Sequence, residues 1–265
     1  MLQIKHLQKT FNEGTVNEKK VFTDLNLTVN DGEFVTVIGS NGAGKSTMLS
    51  AIAGSMMPDS GMITLNGRDI TYMPEVKRAS FIGRVFQDPM MGTAPNMWIE
   101  ENLALAYRRA KPKTLKWGMP VGEERELYKQ QLARLGLGLE NRLSTKVGLL
   151  SGGQRQAITL VMATIRRPEI LLLDEHTAAL DPKTAATVLE ISNDIVRENK
   201  LTTLMVTHNM KNAIEYGDRL VMMHNGGIIL DIAGEEKKQL TVEKLLQKFE
   251  EVSGSSDVPD AALLG

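Results

Sequence analysis

The stretch GSNGAGKST, from Gly39 to Thr47, constrains this chain more than any other. It satisfies G-x-x-x-x-G-K-[ST] through Gly39, Gly44, Lys45 and Ser46, and it follows the apolar β-type run Phe34 to Ile38. A strand that ends in a glycine-rich turn and restarts as a helix points successive backbone N–H groups at one spot, and the helix adds the positive end of its dipole. That is a cradle for phosphate oxygens. Gly39, Ser40, Asn41, Gly42, Ala43 and Gly44 supply its backbone, and Thr47 follows in the helix that should begin near Lys45. Lys45 is placed to reach the β- and γ-phosphates of a nucleotide, and the Ser46 hydroxyl to ligate Mg2+. The alternative, a tight turn without a ligand, requires a chance match with odds on the order of one in a hundred. The preceding strand lowers those odds further.

Short β-rich runs alternate with helical periods along the chain, which predicts an α/β fold around a largely parallel sheet. Phe34 to Ile38, Ile170 to Leu173 and Thr203 to Val206 each run into residues with chemical potential: the glycine-rich loop, then Asp174 and Glu175, then His208. Ligands of open α/β sheets lie beyond the carboxyl ends of the strands, so these elements are expected to converge. Leu2 to Leu7 and Val21 to Val29 flank a polar loop and predict an antiparallel β flank. From about Asp88 to Ser151 the pattern is helical, with helices expected over Ile99 to Arg109 and Glu123 to Leu135. The expected division is a core of residues 1–87 and 167–250, an inserted α-helical subdomain over about 88–166, and a disordered tail over 251–265.

Composition excludes several classes. With 265 residues and 42% hydrophobic content the chain can bury a core and fold alone, and its net charge of -1 gives no global attraction to nucleic acid. It has no cysteine, so neither disulfides nor thiolate metal sites are available. No run approaches 18 consecutive apolar residues, and the N-terminus lacks the apolar centre of a signal peptide, so neither a membrane span nor export is expected. The interval from Lys45 to Ser151 has no sustained heptads, which argues against a long coiled-coil insert.

In ILLLDE, Asp174 and Glu175 follow a strand expected to be fully buried, where a carboxylate is costly unless it meets a cation or donors. Asp174 is the natural partner of Mg2+, and Glu175 the natural group to polarise a water that attacks the γ-phosphate. His208 in LMVTHNM can donate to that phosphate and orient Glu175 or the water; alone, it reads more often as an ordinary surface or helix-start histidine. Gln87 in VFQDP can bridge metal and water while opening the helical insert.

A second glycine-rich string, LSGGQRQA, spans Leu150 to Ala157. With GSNGAGKST, VFQDP, LLLDE, AALDP and VTHN in this order, the chain resembles the ATP-binding cassette of ABC transporters over roughly residues 2 to 250. The resemblance implies a P-loop NTPase core and a head-to-tail homodimer. Each ATP would lie between the P-loop of one copy and Ser151, Gly152, Gly153 and Gln154 of the other. It further implies that Asp181 reaches across the dimer, although Asp181 followed by Pro182 is also an ordinary helix start. Phe11 would stack on adenine, or else be a buried core aromatic. One departure stands out: the family usually has proline after the glutamate, and here His176 brings a group that titrates near neutrality.

The resemblance also implies partners. A cassette without a membrane domain looks like an importer subunit, peripheral on the cytoplasmic face of the membrane. It would work on integral membrane permease subunits that are served indirectly by a solute-binding protein. The permease contact is expected near Gln87, including Met90, Met91, Trp98 and Ile99. Arg108, Arg109, Lys111, Lys113, Lys116 and Trp117 would face headgroups, the partner or simply water. NMWIEENLALAYRR and LLLDEHTAAL resemble a branch associated with uptake of aromatic amino acids. An export or lipoprotein-release ATPase, or a nucleotide-dependent scaffold without hydrolysis, are the alternatives.

Overall fold

The structure is a computed structural model that describes residues 1–109 and 122–253. Lys111, Lys113, Lys116 and Trp117 lie outside the described residues, as does the tail from residue 254. The chain forms two units, Met1–Arg78 with Lys200–Gly265, and Ala79–Asn199.

In chain order the first unit begins with strands β1 (Leu2–Phe11), β2 (Lys19–Val29) and β3 (Phe34–Gly39), then helix α1 (Lys45–Ala53). Strands β4 (Ser60–Leu65) and β5 (Arg68–Asp69) and the short helix α2 (Glu75–Arg78) follow. The second unit holds β6 (Ile82–Val85), α3 (Ile99–Arg108), α4 (Glu123–Ala133), α5 (Gly152–Thr164), β7 (Ile170–Asp174) and α6 (Pro182–Asn199). The chain returns to the first unit with β8 (Thr203–Val206), α7 (Met210–Glu215), β9 (Arg219–His224) and β10 (Gly227–Ala233). It closes with α8 (Gly234–Lys238) and α9 (Val242–Ser253).

The first unit carries two kinds of sheet, and burial explains the difference. In the antiparallel order β2-β1-β4-β5, the strand β2 alternates buried Phe22, Leu25, Leu27 and Val29 with exposed neighbours, which is the pattern of a sheet wet on one face. In the order β10-β9-β3-β8, strand β3 runs parallel to both β8 and β9, while β10 returns antiparallel. Phe34 to Ile38 of β3 are all buried, and the β-branched Val35, Thr36, Val37 and Ile38 suit a strand covered on both faces. The buried Thr36 hydroxyl donates to the Ala213 carbonyl at 2.9 Å, so its polarity is satisfied inside the core. Helix α9 lays Leu245 and Phe249 on Ile38, Met222 and Ile232.

In the second unit β6 and β7 pair in parallel, with Val85 opposite Leu173. All five residues of β7 are buried. Helices α3, α4 and α5 pack on one another, and the rings of Tyr107 and Tyr128 meet edge to face at 6.1 Å. The expected mixed α/β architecture, parallel strands plus an antiparallel flank, is therefore present.

Candidate nucleotide site

In the first unit, Val37 of β3 stands opposite Val206 of β8. The residues after each strand, the loop from Gly39 and the pair Thr207 and His208, thus emerge at adjacent carboxyl ends. Gly44 sets the loop's exit. Its φ of 99° is left-handed, and a Cβ there would lie 2.5 Å from the Phe22 ring, so only glycine fits. Ala43 N–H donates to the Ser40 carbonyl at 3.1 Å, and Gly226 N–H, at the β9–β10 turn, donates to the Ala43 carbonyl at 3.2 Å. Helix α1 starts at Lys45 with neither a side-chain cap nor an acidic residue in its first turn, so its positive end is not offset locally.

Lys45 is 6% exposed, and its Nζ donates to the carbonyls of Gly39 at 2.7 Å and Ser40 at 3.1 Å. A cation is thus held over the mouth of a backbone loop. Asn41, Gly42, Ser46 and His208 are exposed around it, and Thr47 is partly buried. Phe11, at the end of β1, is 38% exposed with the Lys9 ammonium 5.4 Å from its ring centroid. It is a surface aromatic, not a core one.

The second unit brings another group together. Parallel pairing of β6 and β7 places Gln87, just past β6, and Asp174 and Glu175 at adjacent strand ends. Asp174 is 8% exposed, and Arg84 donates from Nη2 to its Oδ2 at 3.0 Å. The Arg84 guanidinium lies 4.7 Å from the Phe86 ring centroid. This cation beside a buried carboxylate was not foreseen from sequence. Its signal was a lone arginine inside the four-residue strand IGRV. Gln156 of α5 donates to the Phe86 carbonyl at 3.0 Å and ties the strand end to the helix, while Gln87 itself is exposed.

Glu175 adopts φ 45°, a left-handed backbone that a non-glycine residue takes only under constraint. His176, next to it, is 2% exposed and hydrogen-bonded through Nε2 to Ser192 Oγ at 3.0 Å. Burial pushes its pKa down to about 4, so the expectation of a group titrating near neutrality is overturned. His176 stays a neutral imidazole in the interior.

Ser151 is the N-cap of α5: its hydroxyl accepts from Gln154 N–H, and Gln154 Oε1 accepts from Ser151 N–H, both at 3.3 Å. Ser151 and Gly152 are exposed. Gly153 is buried, and a Cβ there would come within 2.0 Å of Thr184 Cγ2 on α6. The two glycine-rich strings thus obey different physics, one a loop under a strand and the other a capped helix start. Asp181 caps α6: Oδ1 accepts from Thr184 N–H at 3.1 Å. The Thr184 side-chain hydroxyl and then its N–H hold the Asp181 carboxyl below the usual carboxylate range. Met90 and Met91 are 42% and 71% exposed. Ile99, the first residue of α3, is fully buried, which removes it from the expected permease contact, and Trp98 is only partly exposed.

Lys45, Ser46 and His208 belong to the first unit, and Gln87, Asp174, Glu175, Ser151 and Asp181 to the second. Ser46, Gln87 and Asp174 offer only oxygen ligands, the donors Mg2+ prefers. Among the described residues no group of three or more His, Cys, Asp or Glu is placed to hold a metal ion. No described helix is long and apolar enough to cross a membrane.

The sequence matches the ABC transporter family over residues 22–178. It is 48% identical over 250 residues to the tyrosine transport ATP-binding protein of Clostridioides difficile (strain R20291), with 94% of this chain and 99% of that protein covered. The fold is similar to the dimeric post-hydrolysis state of the ATP-binding cassette MJ0796 bound to ADP and Pi. There the TM-score is 0.75 at 28% identity, over 88% of this chain and 98% of that one. It is also similar to cbiO1 from Clostridium perfringens, part of the ABC transporter complex cbiONQ, with a TM-score of 0.75 at 25% identity and 94% of each chain covered.

Proposed function

Because the chain belongs to the ABC transporter family and is one of its ATP-hydrolysing subunits, we propose that it drives import of an aromatic amino acid, tyrosine foremost, through separate permease subunits. The observation that carries this reading is identity of 48%, along nearly the whole of both chains, to a tyrosine transport ATP-binding protein. No residue of the cassette touches the solute, so the substrate assignment rests on this kinship alone. The complex would sit on the cytoplasmic face of the membrane, and a solute-binding protein would deliver the amino acid.

The roles proposed for the residues rest on the family and on the chemistry of each side chain. Lys45 leaves the carbonyls of Gly39 and Ser40 for the β- and γ-phosphates, while backbone N–H groups of the loop and the start of α1 receive the oxygens. Phe11 stacks on adenine. Ser46, Gln87 and Asp174 hold Mg2+, which when bound neutralises charge on the phosphate oxygens. Glu175 accepts a proton from the attacking water, and His208 donates to the γ-phosphate. Ser151, Gly152, Gly153 and Gln154 present the start of α5 to the γ-phosphate of a second copy, and Asp181 reaches over the same boundary. Two copies closing on ATP pull on the permease through residues 88–166, acting as a helical subdomain against a core of 1–87 and 167–250. Hydrolysis releases them.

Uptake of radiolabelled tyrosine, phenylalanine and tryptophan by cells with and without the gene tests the substrate. Loss of uptake, restored by the wild-type gene but not by Lys45→Ala, is expected. Unchanged uptake of all three refutes it, and loss of efflux instead identifies an exporter.

A further inference from the structure

The loop after β7 carries Glu175 in a conformation that it does not choose freely. A left-handed backbone at a residue with a Cβ costs on the order of 1 kcal/mol or more, and persists only where surrounding contacts impose it. Two contacts do so. Ala178 N–H donates to the Glu175 carbonyl at 2.9 Å, which closes a turn within the loop. The second is His176, whose ring is buried against α6 with Nε2 3.0 Å from Ser192 Oγ.

The hydrogens in this second contact can be assigned. Ser192 is 1% exposed, and its hydroxyl donates to the Val188 carbonyl, one turn back along α6, at 2.7 Å. A hydroxyl has one hydrogen to give. With that hydrogen spent on Val188, the Ser192 oxygen accepts, and the proton in the bond is carried by His176 Nε2. The imidazole is therefore fixed in one tautomer and one orientation, and Glu175 is bonded through its peptide to the residue so anchored.

We infer that His176 is a positioning residue for hydrolysis: hung from Ser192 of α6, it holds the loop so that the Glu175 carboxylate faces the water it activates. This rests on the reading of Glu175 as the proton acceptor. A proline at this position restrains the loop locally, through a fixed φ. His176 instead makes the aim of Glu175 depend on where α6 sits.

Steady-state hydrolysis by the purified full-length protein tests this. Ser192→Ala and His176→Leu are each expected to lower kcat by about tenfold to a hundredfold, the scale on which small misplacements act. KM for ATP, the affinity for a fluorescent ATP analogue and Tm should change little. The double variant should be no slower than the slower single one, because both break the same bond. His176→Gln, whose amide N–H stands where Nε2–H did, should retain most of kcat. Full kcat in Ser192→Ala overturns the inference, as does a loss of kcat that tracks a loss of Tm or adds up in the double variant. Should His176→Leu fail to fold, Ser192→Ala, which removes a single oxygen, decides alone. Glu175→Gln separates the two levels: hydrolysis that persists there defeats the role of Glu175, whereas its abolition beside an unimpaired Ser192→Ala defeats only the positioning role of His176.

Discussion

Arg78 takes a guanidinium fully into the interior of the first unit and surrounds it with carbonyls. It donates from Nη1 to Ala51 at 2.6 Å and Ile52 at 2.9 Å, from Nε to Met73 at 2.7 Å and from Nη2 to Thr71 at 2.9 Å. The first two are carbonyls in the last turn of α1, which have no partners within the helix, and a cation there also opposes the negative end of the helix dipole. Burial pulls the Arg78 pKa down, with Asp69 and Glu75 pulling the other way, yet an arginine remains charged. Arg78→Met, which matches the stem but has no donor, should cost about 3 to 5 kcal/mol, measured by denaturant unfolding. A loss under about 1 kcal/mol would mean that water replaces the guanidinium. Nothing in EVKR separates Arg78 from its exposed neighbour Lys77 before folding. His176 misleads in the opposite way: a histidine beside a strand-end glutamate reads as a titrating group, and only its burial makes it neutral.

At the scale of elements, α5 and α6 meet where Gly153 faces Thr184. Gly153 has no Cβ, so the helices approach closely at the very turn whose first residues, Ser151 and Gly152, are exposed. Gly153→Ala should therefore destabilise the protein by about 1 to 3 kcal/mol and impair hydrolysis. Adding Thr184→Ser removes the methyl group that the new Cβ would strike and keeps the hydroxyl, so it should recover most of the lost stability. Thermal unfolding of the two single variants and the double one checks this; additive losses would rule out the steric account. The glycine composition of LSGGQ was visible in the sequence, but not which of its glycines serves the packing of two helices. The capping box between Ser151 and Gln154 builds the helix start, and Gly153 serves its packing against α6.

At the scale of the whole molecule, the proposed unit of activity is two copies. Glu175→Gln should bind ATP without hydrolysing it and accumulate as a dimer. Size-exclusion chromatography with light scattering, in Mg2+ and ATP, should give about twice the mass of 29.2 kDa. A monomer that binds ATP under these conditions would refute the shared site. The phosphate loop, the strand-end carboxylates and the α/β alternation were legible because each depends on a few consecutive residues whose types backbone geometry demands. Lys45 must follow Gly44, and Asp174 must end its strand, wherever the rest of the chain goes. The partners of those residues were not legible. Arg84 reaches Asp174 across 90 positions, Arg78 reaches Ala51 across 27 and His176 reaches Ser192 across 16. Such pairs follow from strand register and helix packing, which bring together residues that no local pattern connects. Folding therefore decided which charge neutralises the buried carboxylate and whether a histidine titrates.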